Sequence, residues 1–258
     1  MSERAARRAP SLDAILSITP SAIEAFTTCP RRYALQYLEG LPPSDGGPSN
    51  THGLVAHDLL HRIHLRGSCH DATVVDEVLR ELDQDTDVNR SLIERHARRC
   101  PADAEFAFHE QTFVRFLRVQ PMFLASARYD AIWVRGNVVD VREYKTGAQW
   151  YHQIDEDPRA MLQAWILAAR VARRGRVLRL RYEYLSPEID EDPDVWEPSD
   201  DDLTAIGARI HDIVRSMHAS DWIGVAEEPT CRWCRYRSVC RDSVARAEPI
   251  WAALGVGQ

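Results

Sequence analysis

The sequence predicts a mixed α/β fold in which a small central sheet is flanked by helices. Three observations predict it. Apolar residues recur at helical spacing in several segments before residue 119. From 122 to 145 (MFLASARYDAIWVRGNVVDVREYK) the texture changes to β-formers around Arg135-Gly136-Asn137, a β-hairpin pattern. Beyond the hairpin a helix, a strand and a helix follow, so helices pack on a sheet rather than on one another alone.

Each element has its own signal. Residues 1–17 lack periodicity and are expected to be a disordered tail. A helix starts at Thr19-Pro20-Ser21, with Ser21 and Glu24 spaced as a capping box and Ile23 and Phe26 on its apolar face. Cys29-Pro30 interrupts it, and Pro30 suits the first turn of a second helix to Leu38. Residues 40–52 (GLPPSDGGPSNTH) form a loop. A helix from about Gly53 to Leu65 precedes two or three more helices in 71–119, in VVDEVLREL, SLIERHA and FAFHEQTFVRFL. These make 66–119 a helical insertion. A helix over 158–174 ends before Gly175, residues 177–186 alternate as a strand, and a helix runs from about Ser199 to His218. Residues 18–258 are expected to form one domain, with a cysteine-rich segment at about 227–242.

Composition excludes several classes. The chain has 258 residues, which predicts one or two domains with a real core. No stretch nears the ~18 uninterrupted apolar residues of a membrane span, so no membrane partner is expected. MSERAARRAP has no apolar run behind its arginines, which argues against a secretory leader and for a reducing, cytoplasmic setting. Clustered cysteines are therefore metal ligands first.

The formal charge of −7 argues against nucleic-acid binding by bulk positive field. Residues 188–202 hold nine acids and no base, and without them the balance becomes +2. Arg170, Arg173, Arg174, Arg176, Arg179 and Arg181 form one basic run; Arg232, Arg235, Arg237 and Arg241 form another. Of 32 basic residues 31 are arginine, and the single lysine is Lys145. Lysine is a compact ammonium that the planar guanidinium does not replace, so Lys145 is a candidate functional group.

Three constellations carry chemistry. Cys231, Cys234 and Cys240 are spaced C-x2-C-x5-C and need a fourth ligand. Cys29 is the best candidate, with Cys69 and Cys100 as rivals; zinc and an iron–sulfur cluster both fit four thiolates. In the hairpin, Glu143 and Lys145 share a strand face. With Asp130 across the pair, two carboxylates and one ammonium converge, a setting for Mg²⁺ or Mn²⁺ and an activated water. A cross-strand charge pair on a surface hairpin is the structural alternative. His57, His61 and His64 share a helix face. His57 is a further candidate ligand, His64 reads as a polar edge, and His57-Asp58-Leu59-Leu60-His61 imitates the zinc-protease pattern with aspartate for glutamate.

Six segments, in order, resemble the RecB-like branch of the PD-(D/E)XK nuclease superfamily in its iron–sulfur form, found in helicase-associated and CRISPR adaptation nucleases. They are the opening ITPSAIEAF with Cys29-Pro30-Arg31-Arg32-Tyr33, the G-x-x-x-H of Gly53 to His57, Tyr129-Asp130-Ala131-Ile132, Glu143-Tyr144-Lys145-Thr146-Gly147, Gln163 in MLQAWILAA, and the C-terminal cysteine triad. The resemblance implies a restriction-endonuclease-like core and a deoxyribonuclease acting on single-stranded DNA ends, in repair, recombination or defence, with a helicase or CRISPR/repair protein as partner. It implies that Asp130, Glu143, the Tyr144 carbonyl and His57 hold Mg²⁺ or Mn²⁺, that Lys145 positions the attacking water, and that Gln163 places substrate or motif backbone. It implies that Cys29, Cys231, Cys234 and Cys240 hold a [4Fe–4S] cluster, stapling the N- and C-terminal segments. The family often has glutamate where this chain has His61, and tyrosine where it has Leu167. A non-catalytic nucleic-acid-binding subunit that keeps the cluster for folding is the alternative, which has no need of Asp130, Glu143 and Lys145 together.

Overall fold

The computed structural model describes residues 16–42, 51–101, 106–117, 122–147, 153–186, 189, 194–225, 227–232 and 234–244. Most of the expected tail, the middle of the 40–52 loop and most of the acidic run before Asp194 lie outside them.

Among the described residues the sheet has six strands: β1 (Leu16–Ile18), β2 (Phe106–Leu117), β3 (Phe123–Arg135), β4 (Val138–Lys145), β5 (Val177–Tyr184) and β6 (Asp194–Trp196). The hairpin β3–β4 closes through Gly136, whose φ of +55° suits a residue without Cβ. β4 pairs parallel with β5, and β6 adds antiparallel at the far edge. β2 runs antiparallel along one whole side of β3. The other side is shared: Leu16–Ile18 pairs parallel with 123–125, and β4 pairs with 131–135. Residues 126–130 of β3 are thus left between two partners, at a split in the sheet.

Helices cover both faces. On one, α1 (Pro20–Thr28), α6 (Pro158–Ala172) and α7 (Asp200–Ala219) bury Ile23, Leu162, Ile166, Ile210 and Val214 against Ile132, Val141 and Leu180. On the other, α3 (Thr51–Arg66), α4 (Ala72–Glu81) and α5 (Asp87–Ala97) pack Leu59, Ile63, Leu79 and Leu92 against Ala131 and Trp133. Short α2 (Pro30–Tyr33), continued by a π-helical turn over Ala34–Leu38, and α8 (Glu228–Arg232) bring the cysteine-bearing segments together.

The mixed α/β class with a helix-flanked sheet is present. One element differs outright: FAFHEQTFVRFL is strand β2, not a helix, so the insertion is helical only over 72–97. Its Phe, Val and Thr content fits either period over so short a run. The decision comes from β3, whose backbone pairs with it from Phe106↔Val134 to Leu117↔Phe123. Strands β1 and β6, three residues each, are too short for a pattern. The start of α1 also shifts. Thr19 is the cap, its side chain accepting from the Ala22 amide at 3.1 Å with Pro20 at the first turn, while Glu24 pairs with Arg159 instead.

Candidate active site

Asp130 lies at the end of the split between β3 and β4. The ladder stops at Ala131↔Arg142, and continuing the register puts Asp130 opposite Glu143, so their side chains share a face. Beyond the last pair the strands part. The Asp130 Oδ2 fills the gap by accepting from the Tyr144 amide at 2.8 Å. That bond orients the carboxylate and leaves Oδ1 aimed at His57, whose Nδ1 is 3.0 Å away.

His57 comes from α3, one turn after Gly53. A Cβ on Gly53 would lie 3.1 Å from the Thr146 hydroxyl, so glycine there lets the helix approach the end of β4. Glu110 of β2 completes the cradle, with Oε1 3.6 Å from His57 Nδ1. Glu110 has φ +54°, a strained conformation for glutamate, at the position directly across from Asp130. It also pairs with Arg128. His57, Glu110 and Asp130 each offer one ligand atom within 4.8 Å of the others.

Electrostatics follow from burial. Burial disfavours the imidazolium of His57, but bonds to Asp130 and Glu110 outweigh it and raise its pKa to about 10. Burial, reinforced by Asp130, pushes Glu143 up to about 8. Burial lowers the pKa of Lys145, opposed by Glu143, and its Nζ lies 4.0 Å above the Tyr182 ring. Gln163 has a structural reason to be a glutamine. From α6 its Nε2 donates to the Arg128 carbonyl on the open stretch of β3, at 3.2 Å, and to Glu143 Oε1. It ties the split strand edge to the site carboxylate.

His57, Asp130, Glu143, Tyr144 and Lys145 therefore line one open cavity of about 650 Å³ with Glu110, and Gln163 backs it. For Tyr144 it is the amide that engages the site. Glu110 is not legible in the sequence, because the pattern of its segment predicts a helix; as part of strand β2 it stands opposite Asp130. The zinc-protease pattern is not assembled, since His57 turns to Asp130 and Glu110, and Asp58 pairs with Arg62.

The four cysteines meet elsewhere. Cys29, Cys231, Cys234 and Cys240 line a single cavity of about 220 Å³. The Val225 amide donates to Cys29 Sγ at 3.4 Å, bridging the chain's two ends. Cys69 and Cys100, the rivals of Cys29, do not line it and lie close to each other. His64 is not a polar edge either: it stacks on His109 and meets His96. The first arginine run divides. Arg170, Arg173, Arg174 and Arg176 line a groove with Phe108 and Phe113, whereas Arg179 pairs with Glu197 and Arg181 faces Asp140. Among the described residues no helix is long and apolar enough to cross a membrane.

Comparison with known proteins places this architecture. A family model described as the PD-(D/E)XK nuclease superfamily matches residues 17–241. A Eubacterium rectale protein called a "Putative exonuclease" has a similar structure, with TM-score 0.51 and 9% identity over 98% of each chain. The structure of SSO0001 matches with TM-score 0.42 and 16% identity, over 92% of this chain and 91% of that one. No curated protein matches the sequence. The structural likenesses concern fold alone. The family match spans the split strands, the helix of His57 and the cysteine segment in one stretch, and by it the chain belongs to the PD-(D/E)XK nuclease superfamily.

Proposed function

We propose that this protein is a Mg²⁺- or Mn²⁺-dependent deoxyribonuclease of the RecB-like branch, an exonuclease acting on single-stranded DNA ends, stapled by a [4Fe–4S] cluster. The observation that carries the reading is the convergence of Asp130, Glu143 and Lys145 with His57 and Glu110 in one open cavity.

The donors fit a hard divalent cation. Three carboxylates and one imidazole suit Mg²⁺ or Mn²⁺, and cis ligands of an octahedral ion with bonds near 2.1 Å lie about 3 Å apart. The His57–Asp130 separation is 3.0 Å. Bound there, the ion supplies Lewis acidity, lowering the pKa of a water and offsetting charge on the phosphate. The chain's residues do the rest. Asp130 is held in orientation by the Tyr144 amide, and the Tyr144 carbonyl is a further candidate ligand. Gln163 fixes Glu143. Lys145, its proton loosened by burial, positions the attacking water and faces the charge that builds on the phosphate. The arginine groove beside Phe108 and Phe113 offers guanidinium and aromatic contacts to a single strand.

The cysteine cavity suits a polynuclear group. A single tetrahedral zinc with Zn–S bonds near 2.3 Å needs sulfurs about 3.8 Å apart. The four sulfurs are not among the described ligand groups gathered within 4.8 Å, while their shared cavity has room for a larger body. In this reading the enzyme serves DNA repair, recombination or defence beside a helicase or CRISPR/repair partner that delivers the end.

The test is hydrolysis of end-labelled single strands, with and without Mg²⁺, by anaerobically purified protein. Lys145→Ala and Asp130→Ala are expected to lose roughly 10²–10⁴-fold in rate, with melting curves run beside the assay because Asp130→Ala also leaves the Tyr144 amide without its acceptor. Unchanged activity in Lys145→Ala removes lysine from the chemistry. Unchanged activity in both removes the site.

A further inference from the structure

On the same side of the sheet as His57, further along α3 and at the end of α5, two other cysteines and two histidines converge. His64 closes α3 and Cys69 lies in the turn after it; His96 is in the last turn of α5 and Cys100 follows it. The spacing is H-x4-C and H-x3-C, one pair at the end of each helix. Each of the four offers a ligand atom within 4.8 Å of the other three. His64 Nε2 is 2.9 Å from His96 Nε2, and Cys100 Sγ is 3.9 Å from His64 Nε2. Cys69, His96 and Cys100 are buried, and neither cysteine is in a disulfide.

From this geometry we infer a structural zinc site formed by His64, Cys69, His96 and Cys100, separate from both the catalytic cavity and the four-cysteine cavity. Two thiolates and two imidazoles make a closed tetrahedral set for zinc. Bonds of about 2.0–2.3 Å in that geometry space the ligand atoms by roughly 3.3–3.8 Å, so the two measured separations need shifts of only a few tenths of an ångström. A proton between the two Nε2 atoms engages one lone pair, whereas a cation at the centre engages all four groups. Binding forms two Zn–N and two Zn–S bonds and releases the two thiol protons to solvent, leaving a neutral centre suited to burial.

The surroundings are those of a ligand shell. Glu183 Oε1 lies 2.8 Å from His96 Nδ1, which turns Nε2 toward the other three groups. Glu183 is itself held by Arg142 at 3.1 Å, and Arg142 bonds the Arg99 carbonyl at 2.8 Å, beside Cys100. The His70 ring nitrogen is 3.2 Å from the Cys100 carbonyl. With no open position the ion does no chemistry. It clamps α3 and α5 to the sheet, and the His96 ring also packs edge-on against Tyr144, whose amide orients Asp130.

The experiment is metal analysis with zinc X-ray absorption on the intact wild-type protein, which needs no altered chain and no nuclease activity. One zinc per chain with two sulfur and two nitrogen neighbours is expected, and Co²⁺ in its place should give tetrahedral d–d bands with a thiolate charge-transfer band. Cys69→Ser and Cys100→Ser should lose the zinc and retain any iron, whereas Cys231→Ser should retain the zinc. A zinc shell of four sulfurs, failure of the zinc-free protein to bind added Zn²⁺, or a Cys69–Cys100 disulfide in protein purified under reductant would each overturn the assignment.

Discussion

At the scale of residues, the site holds protons where a divalent cation would sit. In the metal-free protein His57 is held as imidazolium between Asp130 and Glu110, and Glu143 keeps its proton up to about pH 8. Both pKa values lie above their ordinary ones, 6.5 for His57 and 4.5 for Glu143. The associated stability is therefore complete below those ordinary values and lost as pH rises through about 8 for Glu143 and about 10 for His57. A bound cation displaces the same protons, so its affinity should rise with pH, by at most about tenfold per unit for each proton displaced. The rise in melting temperature caused by Mg²⁺ is expected to be larger at about pH 8.5 than at about pH 6. Thermal scans with and without Mg²⁺ across that range check it; a shift that shrinks with pH would contradict it.

At the scale of elements, the split between β3 and β4 builds the site and α6 props it open. Gln163 satisfies the Arg128 carbonyl that neither β1 nor β4 reaches and holds the Glu143 carboxylate at the same time. Leucine matches its bulk but supplies no donor. Gln163→Leu should therefore cost about 1–3 kcal/mol, the penalty for leaving buried acceptors unpaired, measured by denaturant unfolding. Activity should fall by more than that stability loss explains, because Glu143 is released. Strand β2 matters equally, since it carries Glu110 to a position facing Asp130. The sequence pattern of 106–117 did not reveal this. Its apolar residues fit a helix as well as a strand, and only the ladder with β3 separates the two.

At the scale of the whole molecule, the two cysteine-bearing sites tie together segments far apart in sequence. Joining Cys29 to Cys231 closes a loop of about two hundred residues. In the chain-entropy description a cross-link over so long a loop removes about 5 kcal/mol of unfolded-state freedom. Cys231→Ser is expected to lose iron and sulfide and to melt lower, before any defect in the catalytic residues themselves. Iron and sulfide analysis beside a melting curve checks this, and full cluster content at the parent melting temperature would dismiss Cys231 as a ligand. The pairing of Cys29 with the C-terminal triad was legible from C-x2-C-x5-C and Cys29-Pro30. The grouping of Cys69 and Cys100 with two histidines was not, because the two pairs lie at the ends of different helices and neither carries a familiar spacing.

Read without coordinates, the chain yields the mixed α/β class, the β3–β4 hairpin and Asp130, Glu143, Lys145, His57 and four of the six cysteines as candidates, while Gln163 enters only through the family resemblance. These are local patterns: a period of two, a turn, a spacing within one strand or one short segment. Long-range packing settles that 106–117 is a strand, that Glu110 joins His57 and Asp130, that Glu183 and Arg142 stand behind His96, and that His64, Cys69, His96 and Cys100 converge. Each of those depends on which distant backbone supplies hydrogen bonds or which helix ends meet, and a periodicity read along one segment carries no information about either.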